Sequence, residues 1–451
     1  MTGLKRVAVV LLALVVVSSS LFAQGTKEDA AKGQVTLNVL NYIDMSEPNS
    51  ANEVRLVWDK FESENPDIKI VREDLFNEPF HYKTEAYIAS GQLPDVLYMW
   101  PSGRSTSLHT TGSVKDLMPL LEKDGLVDDY NPAALAPQFS GFLGELPNGI
   151  TTTHMLFVNK KVLRDNGLTL STDYNDMKKM VSTLKAKGIE LIAMDNMDDW
   201  VMQSCLFSMV VGRYGGTDWY DRLEAGEISF TDDWFVKSLE LIDDMYKSGM
   251  INRNTLSSPY GASRSSFATG KAAFLIDGDW ATGSFMTDIT TGDALINAKA
   301  QADDFELMAI TNLPGEVVKN SNSGVVGTGW GMSANIAAGS AKEEAAWRLI
   351  KYLQGEYVQT YRLSTGASFP SNLKVDVAKV AAEQNLEPFI TKRAEYYNKY
   401  VPITPVIDGV LHSDVYNVIN SGLQEIGLGS KTPRTVAAEV QRAWEAFLKN
   451  K

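Results

Sequence analysis

The chain has 451 residues, 44% of them hydrophobic and 22% charged, a globular composition long enough for two or three domain-sized units. Its formal charge of −14 repels nucleic acid and anionic lipid, which excludes either as a natural partner. With one cysteine, Cys205, a disulfide within the chain is impossible.

At the start, Lys5 and Arg6 precede an apolar run from Val7 to Val17 and then SSSLFAQG, the layout of a secretory signal peptide over residues 1–23. A cut after Ala23 puts Leu21 where a small residue is usual. The run falls short of the ~20 residues a spanning helix needs, and no thiol near the cut could carry a lipid anchor. Export is therefore expected, to the periplasm if the cell has an outer membrane, and losing Lys5 and Arg6 takes the charge from −14 to −16. Residues 24–34, with GTKEDAAKG at their centre, read as a flexible leader.

The fold opens with a strand, VTLNVL, whose apolar run stops at Asn41-Tyr42. Val54, Val57, Trp58 and Phe61 then recur at helical spacing until Asn65-Pro66. Ile68 to Val71 reads as a second strand and LPDVLYMW as a third, an α/β alternation that predicts a mainly parallel sheet. A second α/β region begins near Leu156: MLFVNKKVL is a strand, Tyr174 to Lys187 an amphipathic helix, and ELIAMD a strand. Asp232 to Lys247 follows as a helix with Phe235, Leu239, Ile242 and Tyr246 on one face. The run AAFLID is a strand ending at Asp277, FELMAITNLPG a strand and Pro-Gly turn, and Lys342 through Leu448 is mostly helical.

Nine tryptophans carry the most information. Trp58, Trp347 and Trp444 sit on apolar helical stripes and read as core. Trp234, at a helix start, and Trp219, in the polar insertion GGTDWYDRLEAGE, suggest no role. The remaining four, Trp100, Trp200, Trp280 and Trp330, each fall at or just past a strand end beside Asp, Asn, Ser or Gly. Ligands of open α/β sheets collect outside such ends. An indole there offers a flat face for a sugar ring while neighbouring groups such as Asp279 accept from its hydroxyls. The competing reading makes each a plug fixing a loop to its own lobe.

In order along the chain, FESENPDIKI, IASGQLPDVLYMW, LFVNKKVLRDNGL, TGKAAFLIDGDW, FELMAITNLPG and GTGWGMSANIAAGSAKEEAAWRLIKYL resemble the motifs of family 1 extracellular solute-binding proteins, the maltose-binding-protein-like receptors of ABC importers. The resemblance implies an α/β fold of two discontinuous lobes joined by hinge strands, with a ligand cleft between them. It places residues 35–153 with 310–361 in lobe 1 and residues 154–309 with 362–451 in lobe 2. It also implies cleft positions for Asp44, Trp100, Ser102, Arg104, Trp200, Trp280 and Trp330, a small-molecule ligand, a membrane permease as partner, and a monomer. The insertion around Gly215 to Glu227 has no counterpart in that pattern.

Motifs of catalysis are missing: there is no HExxH, Walker loop, GxSxG or GxGxxG. His81, His109, His154 and His412 are scattered without ligand spacing, so no metal or cofactor is expected. Asp277 and Asp279 could be read as a glycosidase acid and base, but residues two apart on one turn rarely face each other across a bond. An Asx turn is the plainer role for Asp277. The leading expectation is a carbohydrate receptor without enzymatic activity. Its rivals are the same fold binding a polyamine or quaternary amine, a secreted carbohydrate-active enzyme, and a surface scaffold.

Overall fold

A computed structural model describes residues 33–100, 102–135, 141–326, 328–400 and 403–450. The expected signal peptide and most of the expected leader, residues 1–32, lie outside them. Among the described residues no helix is long and apolar enough to cross a membrane.

Thirteen strands occur among these residues. In chain order they are β1 Val35–Tyr42, β2 Ile68–Leu75, β3 Val96–Met99, β4 Glu145–Pro147, β5 Gly149–Thr152, β6 Met155–Asn159 and β7 Glu190–Ala193. Then come β8 Ala272–Asp277, β9 Phe305–Met308, β10 Asn322–Val326, β11 Gly329–Met332, β12 Phe369–Pro370 and β13 Ile403–Pro405. They form three sheets, ordered β2-β1-β3-β11-β4 in the first lobe, β7-β8-β6-β9 in the second, and β12-β5-β10-β13 between them.

Both lobes have the mainly parallel sheet that the alternation predicts, each with one strand reversed. In the first, β1 runs parallel to β2 and β3, but β11 runs against β3 and β4. In the second, β7 and β8 are parallel while β6 opposes β8 and β9. The cause is the route of the chain. It passes from β4 through β5 into β6, and returns from β10 into β11, so each crossing delivers a strand that enters its sheet from the cleft side.

The helical stripe of Val57, Trp58 and Phe61 is buried against Leu37 and Val39 of β1. Its segment, Ser50–Glu64, carries a wider π-type turn over Val54–Asp59. In the second lobe the AAFLID strand is buried on both faces. Phe274 and Ile276 face one apolar cluster and Leu275 the other, which is why the run is continuously apolar. Asp173 caps the helix Tyr174–Lys185 by accepting from the amides of Asn175 and Asp176, a contribution of about 1 kcal/mol. The insertion folds into a short helix, Trp219–Glu224, with Trp219 fully buried 6.0 Å from the Trp234 ring. The helices Ser413–Leu428 and Pro433–Asn450 close the second-lobe core through Ile419, Leu423, Val440 and Trp444.

Candidate functional site

The first wall of the cleft is built from rings. β1 and β3 end side by side, so Tyr42 lies stacked on Tyr98, with centroids 5.7 Å apart, and edge-on to Trp100 at 4.5 Å. Behind them Trp330 packs against Tyr98 at 5.3 Å and against Trp58 at 5.4 Å. His81 meets Trp100 at 4.7 Å. The rings run from the lobe core to the cavity, and edge-to-face geometry of this kind adds attraction beyond buried area. Polar ties interrupt them, among them the Tyr98 hydroxyl, which donates to Thr328 Oγ1 at 2.7 Å. Burial, and then the Arg104 charge, hold the His81 imidazole well below its usual value, so it is neutral.

The second wall is built from charge. β8 stops at Asp277, and Gly278 lets the Trp280 ring fold back onto the main chain, where a β-carbon would sit 2.2 Å from the indole. Trp280 Nε1 donates to the Tyr260 hydroxyl, which donates to Asp277 Oδ1 at 3.2 Å. Arg264 completes the unit, with Nε 3.1 Å from Asp277 Oδ2, Nη2 donating to Tyr260, and its guanidinium 4.7 Å from the Tyr260 ring centroid. Burial pushes the Asp277 carboxyl above its ordinary value while Arg264 pulls it back. The Trp200 ring stands 4.9 Å from Tyr260 and 6.2 Å from Trp280.

The two walls touch. Arg264 Nη1 donates to Glu47 Oε1, and Trp200 Nε1 donates to Asn77 Oδ1 at 3.2 Å. The Asn49 amide donates to Asp288 Oδ2 at 3.1 Å, and Arg104 Nε to Asp408 Oδ2 at 2.9 Å. Gly103 lies so close to the opposite wall that a β-carbon would meet the carbonyl oxygens of Asp408 and Leu411 at 2.1 and 2.5 Å. A cavity of about 310 Å³ remains between the walls. Each arginine in its lining already holds a carboxylate: Arg104 holds Asp408, Arg264 holds Glu47 and Asp277, and Arg362 holds Glu53 at 2.8 Å. Such a site can stack on flat apolar faces and exchange hydrogen bonds, while its cations are already neutralised.

Of the residues singled out from sequence, Asp44, Trp100, Arg104, Trp200 and Trp280 line this cavity. Asp44 Oδ1 accepts from the Ser46 amide and hydroxyl at 2.9 and 2.6 Å. The expected cleft positions of Asp279 and Trp330 are not realised, because both are fully buried behind the walls. Asp279 Oδ2 pairs with Arg393 at 3.0 Å and accepts from Tyr397 and from the Thr152 amide. Trp330 sits inside β11 opposite Tyr98 and points into the core. The backbone of Ser102 belongs to the short helix Ser102–Ser105, and its side chain lies outside the described set.

Sequence reasoning passed over Tyr42, Tyr98, Tyr260, Arg264 and Arg362. Tyr42 ends the first strand much as Trp100 follows the third, so the strand-end rule applied to tyrosine would have found it. Arg264 carries no local signal, since Glu47 and Asp277 reach it only through the fold. Among the described residues no group of three His, Cys, Asp or Glu side chains is placed to hold a metal ion.

A family model described as bacterial extracellular solute-binding protein matches residues 47–360. A multiple sugar-binding protein of Streptococcus mutans is 24% identical over 354 residues, covering 76% of this chain and 77% of that protein. An uncharacterized ABC transporter extracellular-binding protein of Pyrococcus horikoshii is 24% identical over 214 residues, 47% of this chain, and the match spans only 43% of that relative's length. Among solved structures, a chitin oligosaccharide binding protein has a TM-score of 0.79 at 21% identity, over 92% of this chain and 98% of its own. At that identity the likeness is one of fold.

Proposed function

The chain belongs to the bacterial extracellular solute-binding protein family, and from that premise we propose that it captures a mono- or oligosaccharide between its lobes and delivers it to the permease of an ABC importer. One observation carries the reading: Trp100, Trp200 and Trp280 converge from two lobes on one cavity whose arginines are already neutralised. Indole faces stack on the apolar faces of sugar rings, and Asp44 accepts from hydroxyls. The names of the Streptococcus relative and of the chitin oligosaccharide binder support a saccharide.

The working parts are residues 35–153 with 310–361 as one body and residues 154–309 with 362–451 as the other. Ligand contacts to both walls favour the closed arrangement, and the permease reads that state. Arg104 serves the rim of the first wall, where the family resemblance also puts Ser102. Asp279 and Trp330 are positioning residues, holding Trp280 and Tyr98 from behind. The protein works as an exported monomer released from its signal peptide, and it performs no reaction. Asp277 and Asp279 are bound to Arg264 and Arg393 rather than facing each other across the cavity.

The test is a thermal-shift and tryptophan-fluorescence screen of the protein against sugars, polyamines and amino acids. A sugar that binds raises the melting midpoint by mass action. Trp280→Ala is expected to weaken that sugar by more than about tenfold, as removal of a central aromatic anchor does. A polyamine response with silent sugars would overturn the ligand class, and turnover of a glycoside would overturn the binding-only reading.

A further inference from the structure

A second cavity, of about 630 Å³, lies beyond Trp100 and shares His81, Tyr98, Trp100 and Arg104 with the first. It too is an interlobe space. One side is the first-lobe helix Glu78–Ser90, and the other is Met197 to Asp199 with the second-lobe helix Ser413–Leu428. Tyr82, 70% exposed, and Met197, 52% exposed, stand at its mouth from opposite lobes.

Its chemistry differs from that of the first cavity. Glu78, Glu85, Asp198 and Asp199 line it against a single guanidinium, Arg104, which is engaged by Asp408 at 2.9 Å and Glu78 at 3.7 Å. Asp198 is satisfied by Asn77 Nδ2 and the Tyr260 amide, both at 3.0 Å, whereas the side-chain partner of Asp199 is Asn420 Nδ2 at a long 3.4 Å, beside its own backbone amide. Asn420 supplies the independent sign of a ligand. It is 2% exposed, lines the cavity, and its Oδ1 has no hydrogen-bond partner. Buried acceptors are nearly always paired, so this one leaves a place for a donor beside the cavity. Burial, followed by the opposing Asp199 and Asp198, raises the Glu78 carboxyl. Burial is also the largest cause raising Asp199, with Asp198 adding to it.

We infer that this second compartment takes a primary ammonium group of the ligand, which makes the ligand an amine-bearing saccharide with its neutral part between the tryptophans. An ammonium brings three donors and no acceptor. That suits the Asn420 oxygen and the open side of Asp199, and the faces of Trp100 and Tyr416 add cation–π attraction. No trio of ligating side chains among the described residues favours a metal ion instead. The cation also has a mechanical role. Closure brings Asp198 and Asp199 of one lobe up to Glu78 of the other, and a positive group between them turns that repulsion into a contact favouring closure. The saccharide half of this inference rests on the function proposed above.

The experiment is isothermal titration of the protein with oligosaccharides matched in length and linkage, in free-amine, N-acetylated and hydroxyl forms, with spermidine as a separate arm. The free-amine form is expected to bind about tenfold more tightly than its neutral partners, with the gap closing at high salt. In the double variant Glu78→Gln, Asp199→Asn the preference falls to near unity. Removing like charges leaves the melting midpoint at or above that of the parent, so loss of folding does not mimic the result. Neutral forms binding as well as the amine would overturn the ammonium site and leave the saccharide reading standing. Spermidine binding that needs Glu78 and Asp199, with every saccharide silent, would keep the site and overturn the saccharide.

Discussion

The two walls of the cleft each hold an indole at a strand end, and they do it by different physics. On the first wall Trp100 is fixed by rings, Tyr42, Tyr98, Phe80 and His81, all within 5.4 Å of its centroid. On the second, Trp280 is fixed by a hydrogen bond to Tyr260, itself held by Arg264 and Asp277. Ring packing is spread over many weak contacts and tolerates a smaller ring. A chain of buried donors and acceptors fails when one member is lost, because the rest stay buried without partners.

Removing a charge from behind the second wall is the most severe way to expose that difference. Arg393→Met leaves Asp279 buried and unpaired, and should cost about 3–5 kcal/mol of stability in urea unfolding. A loss below about 1 kcal/mol would show that the charge is not what holds this wall.

Next in size is the response to pH, where the lobes should differ in sign. Burial lowers the His154 imidazole, at the start of β6, from its ordinary 6.5 to about 3. The unfolded chain therefore takes up that proton first. The contribution of His154 is complete above pH 6.5 and is lost as pH falls toward 3, by up to about 1.4 kcal/mol per unit. Glu145, in β4 of the first lobe, is raised from 4.5 by burial. Its contribution is present below that value and is lost as pH rises through the folded pKa. Melting midpoints measured against pH should show His154→Gln flattening the acid slope and Glu145→Gln raising the midpoint at neutral pH. Equal slopes in parent and variants would remove the contrast.

The smallest effects come from exchanging ring for ring. Trp280→Phe keeps a stacking face but forfeits the bond to Tyr260, so ligand affinity should fall by about tenfold. Trp100→Phe keeps its ring neighbours and should change affinity by less than about threefold. Titration of both with one sugar measures the difference, and equal losses would mean that the walls hold their indoles alike.

How far the chain could be read follows from the same physics. The stripe of Val57, Trp58 and Phe61 and the run of AAFLID were legible because burial leaves a period in sequence. The strand-end rule found Trp100, Trp200 and Trp280 for the same reason. It misplaced Trp330 because the glycines of GTGWGM look like a strand running out. Gly329 and Gly331 are in fact the reverse face of β11, where their β-carbons would strike Leu146 O at 2.4 Å and Met99 Sδ at 2.2 Å. The middle sheet was invisible. Its strands GITT, NSGVV, FP and ITP are short and polar or irregular, and are held by pairing rather than by an apolar face. Arg264, Glu47 and Asp277 lie far apart in the chain, and no local pattern records such a meeting.

That middle sheet bears on how the molecule moves. Two of the three crossings, β5 and β10, are zipped together, Thr152 against Gly324, Thr151 against Val325 and Ile150 against Val326, and past the third β12 lies on β5 with Phe369 against Ile150, so neither of the pair can bend or slide alone. Two separate tethers would let the lobes twist and shear. A laminated pair flexes like a leaf spring, in one plane, and brings the same two faces together at every stroke.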